Sequence, residues 1–122
     1  MPSKHNQVRV LPDYLQQFHR DVAQETVRYS LDYLGVSGVK VEVILKREYK
    51  DCWGECWQQP GDSRYGISIC TSQPLRDMIA TITHECVHIR QYETGEWEGD
   101  GEREAEDLQY TIADELWKDG VL

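Results

Sequence analysis

The chain has no apolar run approaching the ~20 residues that a membrane-crossing helix needs, so no membrane partner is expected. Its first residues, Met1-Pro2-Ser3-Lys4-His5-Asn6-Gln7, lack the apolar stretch of a secretory signal. Both absences point to a soluble, cytoplasmic protein. Clustered positive charge is also scarce. The 13 Lys and Arg are outnumbered by 22 Asp and Glu, which leaves a formal charge of −9. Lys46-Arg47 and Lys50 form the one basic group, and Glu48 and Asp51 interrupt it. No nucleic-acid partner is expected, because phosphate contacts need concentrated Lys and Arg. No internal repeat or low-complexity stretch is visible, and 122 residues suit a single domain spanning 1–122. The four cysteines, Cys52, Cys56, Cys70 and Cys86, read as reduced packing residues in a chain without a secretion signal. Cys52 and Cys56 are four apart, which is neither the common zinc-knuckle spacing nor the redox spacing.

The apolar periodicity supplies the elements. Leu15, Phe18, Val22, Tyr29 and Tyr33 recur at helical spacings, between Pro12 and Gly35, and predict a long helix from Asp13 to Leu34. Val39, Val41, Val43 and Leu45 alternate as a strand. A second strand is expected over Cys52 to Trp57, a turn at Gln59-Pro60-Gly61-Asp62, and a third strand over Tyr65 to Cys70. Ser72 is the expected cap of a helix that holds Met78, Ile79, Ile82 and Ile89 and ends at Gly95. A loop over Trp97 to Gly101 leads to a last helix from Glu102 to Trp117, with Ala105, Leu108, Ile112 and Leu116 on one face. This order predicts an α+β domain with a small, mainly antiparallel sheet.

Within the second helix stands His84-Glu85-Cys86-Val87-His88, the pattern HExxH. Imidazoles four residues apart share one helix face, close enough to bind one metal ion. Glu85 sits beside that face, where a carboxylate can take a proton from a metal-bound water. Cys86 points away from the histidines and reads as core. Histidine is itself scarce. Besides this pair there are only His5 and His19, both upstream, so a third histidine ligand after His88 is impossible.

A catalytic zinc usually takes three protein ligands and leaves one position to water. The third ligand is therefore expected to be a carboxylate, with Glu93, Glu96, Glu98, Asp100, Glu102, Glu104, Glu106 and Asp107 as the candidates after His88, of which helical geometry sorts the later ones. At about 100° per residue, Glu102 lies about 75° from the centre of the last helix's apolar face, Glu104 about 85° on the other side, and Glu106 about 115° on Glu102's side. Glu102 is thus the best aimed at the helix interface. Glu106, one turn on, is expected to orient a ligand histidine. Glu104 and Asp107 read as a solvated face.

These residues resemble the gluzincin metallopeptidases, in which an HExxH helix is followed by a glutamate in a Glu-x-x-Ala setting. Here that setting is Glu102-Arg103-Glu104-Ala105, and Glu106 stands where gluzincins often place an aspartate that supports the first histidine. The small size, the strand Tyr65 to Cys70 and the phrase from His84 to Tyr92 are similar to minimal one-domain gluzincins and phage-type SprT-like proteins. SprT-like proteases proper use a third histidine, which is absent here. The resemblance covers residues 65 to 107. It implies a zincin-like domain in which the sheet packs on a long N-terminal backing helix, with one zinc ion and a location in a host cytoplasm.

The expected function is hydrolysis of a protein or peptide substrate, with zinc on His84, His88 and Glu102 and with Glu85 as general base. Gly66, Ile67 and Ser68 are the expected strand for edge pairing with an extended peptide. Tyr110, Tyr92, Arg64 and His19 are candidates for an added oxyanion donor, and Trp53, Trp57 and Trp97 for lining a cleft. Two other readings use the same residues: a zinc-binding interaction module without turnover, and a peptidase covered by its own tail, Trp117 to Leu122.

Overall fold

A computed structural model describes residues 5–12, 17–47 and 54–122. Among them the elements run β1 (Gln7–Leu11), α1 (Gln17–Tyr33), β2 (Lys40–Lys46), β3 (Gly54–Gln58), β4 (Arg64–Cys70), α2 (Leu75–Thr94) and α3 (Glu102–Lys118). The described residues thus form three helices and one four-stranded sheet, an α+β arrangement. No helix among them is long and apolar enough to cross a membrane.

The sheet differs from expectation in its direction. Its order is β1-β2-β4-β3; β1 pairs parallel to β2, β2 pairs parallel to β4, and only β3 with β4 is antiparallel. Two of the three pairings are parallel, so the sheet is mixed, not mainly antiparallel. The alternation in Lys40–Lys46 specifies which face is buried, but it carries no information on the direction of a neighbour. The unforeseen β1, with only Val10 fully buried, is too short and too polar to announce itself. It returns through α1 to β2 as a parallel crossover, which needs a connection of this length.

Side chains of alternate residues face the helices. Val41, Val43 and Leu45 of β2 lie in register with Tyr65, Ile67 and Ile69 of β4, and all six are buried. Against them packs α1, whose buried face is Val22, Ala23, Thr26, Val27, Ser30 and Leu31. Phe18 and Tyr33, expected on that face, are exposed. Three small residues, Ala23, Thr26 and Ser30, fit the close approach of α2 and shift the contact stripe away from the aromatic positions. Within that contact the Ser30 and Thr83 hydroxyls lie 3.1 Å apart and share a hydrogen bond.

All of β4 after Arg64 is buried, on both faces of the sheet. Gly66 is covered by the indole of Trp57 on the adjacent strand, where a Cβ would overlap the ring. Strand β4 is internal, hydrogen-bonded to β2 on one side and β3 on the other. Gly66, Ile67 and Ser68 therefore offer no free edge to a peptide, and Trp57 already occupies the space that the glycine leaves open. The terminal strand on this side is β3.

Helices α2 and α3 form an antiparallel hairpin. Asp77 meets Tyr110 and Arg76 meets Asp114 at one end, while Gln91 meets Gly101 at the other. Gly95 ends α2 in the left-handed conformation, at φ 68°, with its N–H on the Gln91 carbonyl. Pro74, not Ser72, stands at the N-cap position of α2, with no side-chain cap hydrogen bond, and the Ser72 hydroxyl lies 2.8 Å from the Cys70 thiol instead. Cys56, Cys70 and Cys86 are free thiols, with Cys86 fully buried as expected; Cys52 and Trp53 lie outside the described residues.

Candidate metal centre

Thr81, His84, His88 and Gln91 recur at helical spacing along one side of α2, and that side turns toward the start of α3. The Nε2 atom of His84 lies 2.9 Å from Glu102 Oε2, and Nε2 of His88 lies 2.9 Å from Glu102 Oε1. The two rings stand edge to face with centroids 5.0 Å apart. One carboxylate thus faces both imidazoles across the hairpin. Helix phase accounts for this: Glu102 is the first residue of α3 and lies on the flank turned to α2. His84, Glu85 and His88 each bring a possible ligand atom within 4.8 Å of the others.

Glu85 is 5% exposed, beneath the histidines. Burial pushes its carboxyl up to about 7, and the nearby Glu102 and Glu55 carboxylates push the same way; His84 and His88 pull against them. A carboxyl in this range can both accept and release a proton near neutral pH. Beside it opens a shallow hollow lined by Gly54, Thr81, His84, Glu85, Glu106 and Gln109. Gly54 lets the first residue of β3 lie against α2, because a Cβ there would come within 2.8 Å of Thr81 Cγ2 and 2.9 Å of the Ser68 carbonyl oxygen.

The far nitrogens of the imidazoles have partners too. His84 Nδ1 lies 2.7 Å from Gln109 Oε1, and His88 Nδ1 lies 2.8 Å from Gln91 Oε1. Each imidazole thus meets an oxygen at both nitrogens, an amide at Nδ1 and the Glu102 carboxylate at Nε2; with a cation on Nε2, Nδ1 would carry the proton toward the amide oxygen. Two imidazole nitrogens and one carboxylate, oriented in this way, suit a divalent cation of borderline softness, zinc among others. Ligand atoms on a four-coordinate zinc with bonds of ~2.0–2.1 Å stand about 3.3 Å apart. The 2.9 Å pairs here would open only slightly to admit it.

The structure therefore brings His84, Glu85, His88 and Glu102 together, and it reassigns their supporters. Glu106 is exposed and lines the hollow, but Gln109 occupies the place beside His84 Nδ1 that Glu106 was expected to fill. Gln109 lies seven residues after Glu102, two turns along the same flank, and that spacing was the available signal. Glu104 is half-buried rather than solvated: it accepts a hydrogen bond from Gln91 and pairs with Arg90 at 3.0 Å. The Gln91 hydrogen bond, followed by the Arg90 charge, holds its carboxyl below the usual range. Asp107 is exposed, as expected.

None of the candidate oxyanion donors lines the hollow. Tyr110 donates to Asp77 beneath Arg76, and Tyr92 stacks on Tyr65 and meets Trp97. Arg64 folds over Gly61, and His19 meets the edge of Phe18. The tail lies elsewhere as well. Trp117 packs by Leu75 and Ile79 at the start of α2, and Asp119 accepts from Tyr29 of α1. A tail in that position leaves the hollow open.

No family model matches the chain, and neither does any curated protein.

Proposed function

We propose that this protein is a zinc-dependent peptidase that cleaves peptide bonds of a protein or peptide substrate. The observation that supports it most is the convergence of His84 Nε2, His88 Nε2 and the Glu102 carboxylate beside the buried Glu85. When bound, zinc would polarise the scissile carbonyl and acidify a water at neutral pH. Glu85 would take the proton as that water's oxygen attacks the carbonyl carbon, then give it to the amide nitrogen as the C–N bond breaks. Its raised pKa suits both transfers. Gln91 and Gln109 would keep the imidazoles turned toward the site. The outer edge of β3 has no partner strand among the described residues, and Gly54 sets that edge against the hollow. An extended peptide pairing there would carry its backbone past Glu85.

Elemental analysis of the purified protein and digestion of a broad peptide library test the reading together. About one zinc per chain is expected, with cleavage by the wild type and a loss on the order of 10²–10⁴-fold in Glu85→Gln at unchanged zinc content. Zinc-loaded wild type that cleaves nothing would sink the peptidase and leave a zinc-binding module. Protein that takes up no zinc would sink both.

A further inference from the structure

We propose that Glu93, Tyr92 and Trp97 form a subsite for an arginine or lysine side chain of the peptide substrate, two or three residues from the bond that is cleaved. The subsite rests on the reading of the hollow beside Glu85 as a peptidase centre, and it names the kind of substrate that centre takes.

Strand β3 sets the direction. Its first residue, Gly54, lies against Thr81 of α2. Its last, Gln58, stands opposite Tyr65 and hydrogen-bonds to the Tyr65 hydroxyl. That hydroxyl donates in turn to Glu93, near the end of α2. The strand therefore runs along α2 in the helix's own direction, from the hollow toward Glu93. Tyr92 lies seven residues after Glu85, two turns on and within about 20° of the same helix face. Seven residues of helix cover about 10 Å, the length of about three residues of extended peptide. A chain laid on the outer edge of β3 past Glu85 would thus bring its second or third residue to Tyr92.

What stands there suits a cation. Glu93 is exposed, and its two carboxylate oxygens accept from the hydroxyls of Ser63 and Tyr65. Both donors are neutral, so they orient the carboxylate and leave its charge uncompensated. The arginines beside these residues in the chain are directed elsewhere: Arg90 pairs with Glu104, and Arg64 folds over Gly61. Among the described residues no Lys or Arg forms an ion pair with Glu93. Next to it are two partly exposed rings. Tyr92 stacks on Tyr65 with centroids 5.9 Å apart, and Trp97 meets Tyr92 edge to face at 6.3 Å. Tyr92 is 39% exposed and Trp97 46%. Such rings attract a guanidinium or ammonium group, while its aliphatic stem covers their apolar surface. Glu96 and Glu98, exposed on either side of Trp97, add charge of the same sign as Glu93. A neutral side chain would gain from the rings but not from Glu93, so the two features together select a basic residue.

Blocked octapeptides of Ala, Ser and Gly, carrying one Arg, one norleucine or one Glu at each position in turn, test this on the full chain in excess zinc. Cleavage products locate the scissile bond and give kcat/KM for the wild type, and dissociation constants are measured on Glu85→Gln. Arg at the second or third residue on one side of the cleaved bond should raise kcat/KM roughly five- to tenfold over norleucine there, and Glu should lower it. Glu93→Gln keeps the shape but not the charge, and should bring the Arg-to-norleucine ratio close to one. Trp97→Ala, in an exposed loop, should lower that ratio at least about twofold. Cleavage without an Arg preference at those positions, or with one that survives either substitution, overturns the subsite while the peptidase stands. Absence of all cleavage sinks the peptidase, and the dissociation constants then decide. Arg peptides that bind more tightly than norleucine peptides, and lose that margin when Glu93→Gln is added, keep the cation subsite; equal binding removes it.

Discussion

Where α2 begins and α3 ends, the hairpin belongs to the apolar cluster through Ile79, Ile82, Ala113 and Leu116, each at most 4% exposed. Where α2 ends and α3 begins, it is joined by His84, His88, Gln91 and Glu102, through hydrogen bonds and ion pairs. The apolar end gains stability from area removed from water, which needs no particular geometry. The polar end gains little net stability, because each bond replaces one to water, but it fixes directions. One hairpin thus separates the task of holding two helices together from the task of aiming their side chains.

That division can be broken from either end. Leu116→Ala should cost about 2–5 kcal/mol by denaturant titration, equally with and without zinc, while the zinc dissociation constant stays within a few-fold. A large loss of zinc affinity in a still-folded Leu116→Ala would mean the two ends are coupled. At the polar end, zinc in hundredfold excess over its dissociation constant should raise stability by about 2.7 kcal/mol. Thermal melts with chelator and with zinc would measure this, and coincident melts would count against a cation joining α2 to α3.

Glu85 gives the polar end a dependence on pH. Its carboxyl is raised from 4.5 to about 7 in the folded protein, so between those values the native state holds the extra proton. Stability is then fullest below pH 4.5 and falls as pH rises through 7. In chelator, Glu85→Gln should match the wild type near pH 4.5 and be more stable at pH 8, by on the order of 2 kcal/mol. A stability gap that does not change with pH would show that the carboxyl is not perturbed. The smallest effect should come from Arg76→Ala. Its ion pair with Asp114 spans 3.4 Å at the apolar end, with both side chains about two-thirds exposed. Removal should change stability by under about 0.5 kcal/mol, and a larger value would mean that surface charge also holds that end.

Much of this was legible in advance, for reasons that differ by element. The strand over Lys40–Lys46 and the helix ends at Gly95 and Glu102 follow from local spacing and turn chemistry, which neighbouring residues settle among themselves. Glu102 was legible because the position of α3's apolar face fixes the direction of every other side chain on it. Strand β1 was not, since Gln7 and Arg9 dilute an alternation of only five residues. Gln91 and Gln109 were not legible, because a neutral amide has no chemical signature until its partners are known. The sequence suggests only a solvated face for Glu104, because its partners, Gln91 and Arg90, lie on another helix.

The sequence by itself determined the chemical kit: two imidazoles one turn apart, a carboxylate between them in the chain, and another acid on the helix that follows. These are properties of each helix and its period, so they survive without knowledge of the rest. Only the tertiary structure decided that β4 is enclosed and β3 terminal, that the tail lies away from the hollow, and that glutamines lie beside the histidines' Nδ1 atoms. Those outcomes depend on strand direction and on partners far apart in the chain, which hydrophobic spacing does not encode.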